Sequence, residues 1–333
     1  MGHRRYSAPR RGSLSFRPLA RSKTMTARIR YWPKIGGPPR LLGFPGYKAG
    51  MTHAYVVDTN EHSILRGKEI FTPVTVLDTP PLLILGIRGY GDDGSGLTCL
   101  AEAWAGNVPE YIEKRTRTIK PMPPDKLKEL AQRMVEVRAI VSTLPTRSGS
   151  GKKQPDIFEI GLGGGTLQER IDYCIQLLGK EVDVSQALKP GELVDVFSIS
   201  KGKGVAGVIK RHGVKIRDRK SNKPRRNVAT LGAWNPSGVM STVPRQGQLG
   251  FWQRTEGNRN KRVLAVGADP VSVNVKGGFL RYGLVAGAHV LIKGSVPGPP
   301  KRLVKLRISV RKTVQQPIAP SITEIALASP QGV

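Results

Sequence analysis

A chain of 333 residues carrying 54 Lys/Arg against 24 Asp/Glu, a formal net charge of +30, repels itself unless it neutralises an anion, and the usual polyanion is nucleic acid. It offers no apolar run of the 18 or more residues that would span a bilayer and no secretory stretch in MGHRRYSAPRRGSLSF, and Tyr6 stands where a myristoylation pattern needs Ser or Thr. Its two cysteines, Cys99 in LTCLA and Cys174 in DYCIQ, suit buried free thiols in a reducing compartment, so the expected setting is soluble and cytoplasmic.

The N-terminal arm, residues 1–45, is punctuated by Pro9, Pro18, Pro33, Pro38 and Pro39 and has little periodicity; it is expected to order on a partner. From Tyr47 the pattern turns to short β-branched runs, MTHAYVVD, EIFTPVTVLDT, LLILGIRGY and LTCLAEAWAG, separated by turn residues, and 46–106 reads as the first part of a β-barrel. Residues 107–189 read as an inserted α/β subdomain. Its first helix is PPDKLKELAQRM (123–134), with Leu127, Leu130, Ala131 and Met134 on one face. The strand-like VEVRAIVSTLP follows, and then a second helix capped by Thr166 with Glu169 three residues on, apolar through Ile171, Cys174, Ile175 and Leu178, and stopping near Gly179. The barrel continues over 190–210 with GELVDVFSIS and VAGVIK, and is completed over 263–317 by RVLAVG, VSVNVK, HVLIKG and RLVKLRISVRK. Residues 211–262 interrupt that series without strand alternation and form a central finger extension, while 318–333 is a weakly specified tail. The fold class is therefore mainly β with an inserted α+β subdomain.

The location of the charge is more telling than its total. Residues 1–57 hold 12 Lys/Arg and no acid, 58–200 hold 17 basic and 20 acidic residues, 201–262 hold 16 basic against 2 acidic, and 263–333 hold 9 against 2. Two acid-poor segments bracketing a nearly neutral body are the footprint of a nucleic-acid binder rather than of an evenly solvated surface.

Catalytic chemistry finds no anchor. GLGGGT (161–166) follows a strand-like run and opens a helix, but Thr166 stands at the third fingerprint position and no GK[ST] follows, which makes it a tight strand-to-helix turn. His3, His53, His62, His212 and His289 lack ligand spacing, neither cysteine has a CxxC partner, and no nucleophile elbow or HExxH helix occurs, so no metal, cofactor or enzymatic activity is expected.

The binding signals lie in the basic segments. In SKGKG (200–204) small residues let a backbone approach closely while Lys201 and Lys203 reach phosphates on either side. Trp234, Phe251 and Trp252 are interleaved with Arg225, Arg226, Arg245 and Arg254, and rings in such surroundings stack on RNA bases exposed in loops. For Phe251 and Trp252, anchoring the base of the insertion is an equal reading. The candidate RNA contacts are completed by Arg4, Arg5, Arg10, Arg11, Arg17, Arg21, Lys23, Arg28 and Arg30 in the arm, by Lys48, by Lys210, Arg211 and His212 after SKGKG, and by Arg259, Lys261 and Arg262 at the far end of the finger.

MGHRRYSAPRRGSLSF, GFPGYKAGMTHAYVVD, TPVTVLDTPPLLILGIRGY, SKGKGVAGVIKRHG and GAWNPSGVM…RQGQLGFWQRT are similar, in order and over nearly the whole chain, to the large-subunit ribosomal protein three family in its archaeal and eukaryotic branch. The resemblance implies a closed β-barrel of the translation-protein type, and an arm and a finger that thread into large-subunit ribosomal RNA. The finger would point toward the peptidyl transferase centre with Trp234 at its tip. It implies a structural constituent of the large subunit that supports assembly and translation. The expected partners are ribosomal RNA and neighbouring large-subunit proteins, with no membrane and no second copy of the chain. The competing reading is a translation-factor-like or architectural nucleic-acid-binding protein that associates transiently.

Overall fold

Short β-branched runs set off by Gly and Pro favour strands, and the chain is mainly β. The computed structural model describes residues 9–59, 61–114, 116, 123–221, 224–228, 230–232, 235, 238–254, 260–311 and 319–329. The strands are β1 (Arg40–Leu41), β2 (Gly43–Val57), β3 (Glu69–Asp78), β4 (Leu82–Asp92), β5 (Leu97–Trp104), β6 (Glu136–Thr143), β7 (Ile157–Gly163), β8 (Glu181–Val182), β9 (Leu193–Ile199), β10 (Val205–Ala206), β11 (Gly247–Gln248), β12 (Gln253–Arg254), β13 (Lys261–Gly267), β14 (His289–Lys293), β15 (Leu303–Ile308) and β16 (Ile322–Ile325). The helices are α1 (Glu110–Glu113), α2 (Pro124–Glu129), α3 (Leu167–Leu177), α4 (Val184–Ala187) and α5 (Val208–His212). The chain divides into two units, one of 1–25 with 199–253 and a larger one of 26–198 with 254–333.

The larger unit contains two antiparallel sheets. In the first, neighbouring strands run β9, β13, β14, β3, β2, β15, and β15 pairs with β9 as well as with β2, so the path of pairings returns to its first strand. The apolar side chains that alternate along these strands collect in buried clusters that include Tyr47, Val74, Val76, Leu264 and Leu291. In the second sheet the order is β1, β7, β6, β4, β5, with β8 on β4. Leu127, Ala131, Ile171 and Cys174 from the helices are buried in one cluster with Val137, Ala139, Ile84 and Ile160 of this sheet, while Leu83, Leu85, Ile140 and Ile112 form another. Strand β4, central and largely covered, accordingly begins as a continuous hydrophobic run.

Several sequence expectations need correction. Strands β4 and β5, expected in the barrel, lie instead in the second sheet, where β4 pairs with β6 from the inserted segment on one side and with β5 on the other, and the hydrophobic run LLILGIRGY of β4 is largely buried there. The arm is shorter than 1–45. Residues from Thr26 onward belong to the larger unit, where Ala27, Trp32, Leu41, Leu42 and Phe44 are buried, and β2 begins at Gly43. VAGVIK is a strand only at Val205–Ala206; Gly207 then opens α5, which ends at Gly213 in the left-handed region at φ 63°. VSVNVK forms turns, yet its alternation still places Val273 and Val275 in the core. PPDKLKELAQRM is α-helical to Glu129 and tightens to a 3₁₀ turn over Leu130–Arg133. The tail supplies β16, antiparallel to β2. Cys174 is buried and burial pushes its thiol up to about 12, but Cys99 is exposed. The helix at 166 follows expectation: Thr166 accepts from the Glu169 amide, and the Glu169 carboxylate accepts from the Thr166 amide.

The smaller unit holds the two-stranded β10–β11 pair, in the register Val205↔Gln248 and Ala206↔Gly247, and helix α5. Little of it is apolar core, with Ala206 and Val208 among its buried side chains.

Candidate nucleic-acid interface

The smaller unit joins the two most basic stretches of the sequence, the first 25 residues and the finger. Its spans carry 19 Lys/Arg and a single acid, Asp218. A unit of that composition cannot satisfy its cations with carboxylates. The guanidinium of Arg11 donates to Gly213 O over 3.2 Å and that of Arg17 donates to Ser241 O. Arg211 donates through Nε to Gln248 O and through Nη1 to Arg245 O, each over 3.0 Å. Among the described residues the unit has no ion pair. The larger unit contrasts with it, since Arg88, Arg138 and Arg307 there all meet carboxylates. A carbonyl satisfies a donor but leaves the charge in place. Burial, followed by the charge of Arg17, accordingly pushes Arg211 down. Burial, followed by Arg211, holds the His212 imidazole below its ordinary value and therefore neutral at pH 7.

The two ends of the finger are clasped to each other. Lys203 N donates to Leu249 O over 2.9 Å and Leu249 N to Gly204 O over 2.8 Å, Ser200 N donates to Trp252 O over 2.8 Å, and Trp252 N donates to the Ser200 hydroxyl over 3.1 Å. Gly250 lies in the left-handed region at φ 73°, and a side chain there would drive Cβ to 2.0 Å from Lys201 O. Phe251 follows in the same region at φ 56°. The arm docks at this clasp: Ser22 N donates to Phe251 O over 2.9 Å, and the Arg21 guanidinium lies 5.2 Å from the centre of the Phe251 ring. The main chain of Phe251 and Trp252 thus takes part in holding the base of the insertion. Gly250 is a site residue that sequence reasoning missed, and QLGF, a glycine directly before an aromatic, was the available signal.

The structure sorts the candidate contacts into groups. Arg10, Arg11, Arg17, Arg21, Lys23, Lys201, Lys203, Lys210, Arg211, His212, Arg225, Arg226, Arg245 and Trp252 come together in the smaller unit, and of these Arg10, Arg11, Arg21, Lys23, Lys201, Lys203, Lys210, Arg225, Arg226 and Arg245 are exposed. Arg28 and Arg30 are exposed on the larger unit. Lys48 is committed within that unit, where its ammonium donates to Val296 O over 2.6 Å and Gly298 O over 3.2 Å. Lys261 and Arg262 lie in β13 opposite Val194 and Leu193, in the sheet rather than the finger. Arg4, Arg5, Trp234, Arg259 and the side chain of Arg254 lie outside the described residues. No group of His, Cys, Asp and Glu able to hold a metal ion occurs among the described residues, and no helix is long and apolar enough to cross a membrane.

A family model described as Ribosomal protein L3 matches residues 1–329. Large ribosomal subunit protein uL3 of Methanopyrus kandleri is 43% identical over 342 residues, covering 100% of this chain and 94% of that protein. The protein of the same name in Thermoplasma volcanium is 43% identical over 326 residues, covering 97% and 98%, and that of Methanocaldococcus jannaschii is 42% identical over 332 residues, also covering 97% and 98%. The likeness spans both units at near-constant length, and the chain belongs to the ribosomal protein L3 family, a structural and non-enzymatic family of the large ribosomal subunit.

Proposed function

We propose that the chain is a structural constituent of the large ribosomal subunit that grips ribosomal RNA through its smaller unit, at the cytoplasmic ribosome. One observation carries this reading: a unit with 19 cations and one acid bonds Arg11, Arg17 and Arg211 to neutral carbonyls and leaves its charge for a polyanion. The arm and finger supply phosphate contacts, and Trp234 stacks on a base at the tip of the finger, directed toward the peptidyl transferase centre as the family resemblance implies. The larger unit acts as a closed barrel of the translation-protein type with an inserted α+β subdomain, a reading supported by the pairings that return from β15 to β9. It faces neighbouring ribosomal proteins, and the chain supports subunit assembly. Sedimentation of native subunits through a high-salt gradient tests this: the chain stays with the large subunit, and release at modest salt refutes a structural role in favour of transient association.

A further inference from the structure

The long hairpin β2–β3 carries a feature that RNA binding does not use. Alternation places Met51, His53, Tyr55 and Val57 of β2 on one face, with Phe71 directly opposite Tyr55, Pro73 opposite His53 and Glu69 opposite Val57. On the other side of β2, Glu324 of β16 stands opposite Tyr55, so Glu324, Tyr55 and Phe71 form one row across three strands. Val56 of β2 and Thr72 of β3, on the opposite face, are buried, whereas Phe71 is 58% exposed and Met51 and Tyr55 are exposed with it. The turn joining the two strands presents Ile64, 98% exposed, and Leu65 beside it. Scattered apolar residues on a surface need no explanation, but a contiguous aromatic face extended by an apolar turn marks an interaction site.

Two observations decide what covers this face. The rings already pack on one another: His53 and Phe71 lie 4.7 Å apart at 32°, and Tyr55 meets Phe71 edge-on at 6.1 Å and 78°. Faces spent on each other are poor platforms for bases. The outward strand positions also include no Lys or Arg, in a chain of net charge +30, and two of them are the exposed carboxylates Glu69 and Glu324. The turn adds Arg66 and Lys68 against Asp58 and Glu61, so the strand face keeps its negative charge: phosphate is repelled there, and a cation is attracted. We infer that this face docks a basic polypeptide neighbour within the large subunit, one that lays apolar side chains on Tyr55, Phe71 and Ile64 and places Lys or Arg against Glu69 and Glu324. The inference rests on the ribosomal reading above.

The test places a benzophenone amino acid at Phe71, and separately at the fully exposed Ile64 where folding is indifferent to it, in the full-length chain assembled into large subunits. Irradiated subunits, purified through a salt gradient, are mapped by mass spectrometry. The expected adducts join a polypeptide within a few residues of its Lys or Arg, and the pair Glu69→Lys with Glu324→Lys lowers their yield about tenfold or more. Adducts on nucleotides, no adducts from either position, or a yield indifferent to the charge reversal each overturn the inference. Co-sedimentation of the same chains reports independently on membership of the subunit, so a failed docking surface is distinguishable from a failed ribosomal assignment.

Discussion

Tyr282 donates its hydroxyl hydrogen to Oδ2 of Asp78 over 2.7 Å, and both residues are buried. The same oxygen accepts from Gly149 N over 2.9 Å. One carboxylate therefore ties the end of β3, the segment between β6 and β7, and the turn that follows β13. Burial lifts the Asp78 carboxyl above its ordinary 3.8, against the opposing pull of Tyr282 and Gly149. A raised carboxyl contributes most to stability below its unfolded value, and that contribution is lost as pH rises through the folded one. Tyr282→Phe should cost about 1–3 kcal/mol at pH 7, where a buried carboxylate is left short of a donor, and markedly less near pH 3. Chemical unfolding at the two pH values checks this; an equal loss at both would show that Asp78 is not ionised in the fold.

Gly149 supports the same junction from its other side. A Cβ there would lie 1.8 Å from Leu284 O, and backbone cannot yield as a flexible side chain would. Gly149→Ala should destabilise the larger unit by roughly 2 kcal/mol or more. Its thermal unfolding should fall while RNA affinity measured below the transition stays unchanged.

Arg88 and Arg138 stand directly opposite each other on β4 and β6, an arrangement that needs anions. Glu159 on β7 bridges them: it pairs with Arg88, accepts from Arg138 over 3.1 Å, and takes the Tyr90 hydroxyl on its two oxygens at 2.8 Å each. Burial alone would raise the Glu159 carboxyl, but the Tyr90 hydroxyl, Arg88 and Arg138 outweigh it and hold it below its ordinary 4.5. The stability it contributes is present above pH 4.5 and lost as pH falls through the lower folded-state value. Glu159→Gln should therefore cost about 1–3 kcal/mol at pH 7, with the gap to the parent closing under acid conditions. A gap that persisted at low pH would mean that packing, not charge, holds this cluster.

Strand β15 shows how far sequence alone reaches here. LVKLRI alternates and marks a strand, but alternation predicts that Lys305 and Arg307 face water, and all six residues are buried. The second face is covered by side chains that only the fold brings near: Asp195 accepts from Arg307 over 2.6 Å, and the Lys305 ammonium lies 3.8 Å from the centre of the Phe158 ring. Local signals such as the Thr166–Glu169 capping box were legible because their partners are three residues apart. The alternating valines of VSVNVK misled for the opposite reason, since a turn that buries Val273 and Val275 satisfies the same spacing as a strand. At the candidate interface, composition marked the acid-poor segments that join in the smaller unit, but not that Arg11, Arg17 and Arg211 are held by carbonyls. That division depends on partners dozens to hundreds of residues away.

Lys305 yields its own prediction. Burial drives its ammonium from the ordinary 10.5 down to about 7, against the opposing charges of Asp156 and Glu159. For a depressed base, stability is fullest above 10.5 and is lost as pH falls toward 7, then is flat below. Lys305→Met keeps the volume and removes the charge. It should be more stable than the parent at pH 6 by something on the order of 1–4 kcal/mol, an advantage that shrinks toward pH 10. Parallel unfolding curves across that range would show that Lys305 is solvated.

The smaller unit separates cations that hold it together from cations that face outward, and the two classes should fail differently. Lys201, Lys203 and Arg226 are exposed, whereas Arg211 is partly buried and staples Gln248 and Arg245 to α5. Each phosphate contact contributes about 0.7–0.9 to the slope of log affinity against log salt. Replacing Lys201, Lys203 and Arg226 together by Ala should flatten that slope by about 2–3 for a large-subunit RNA fragment. Protection of the 199–253 backbone against amide exchange should not change, because no main-chain partner is lost. Arg211→Ala removes the bonds to Gln248 O and Arg245 O. Protection at Gln248 and in α5 should fall, and affinity should drop at every salt concentration with a slope altered by about 1 or less. Competition between matched and unrelated RNA separates the two further: the outward triple loses affinity for both alike, since phosphate contacts carry no sequence information. An unchanged slope in the triple variant, or intact protection in Arg211→Ala, would mean that the assignment of cations to the two roles is inverted.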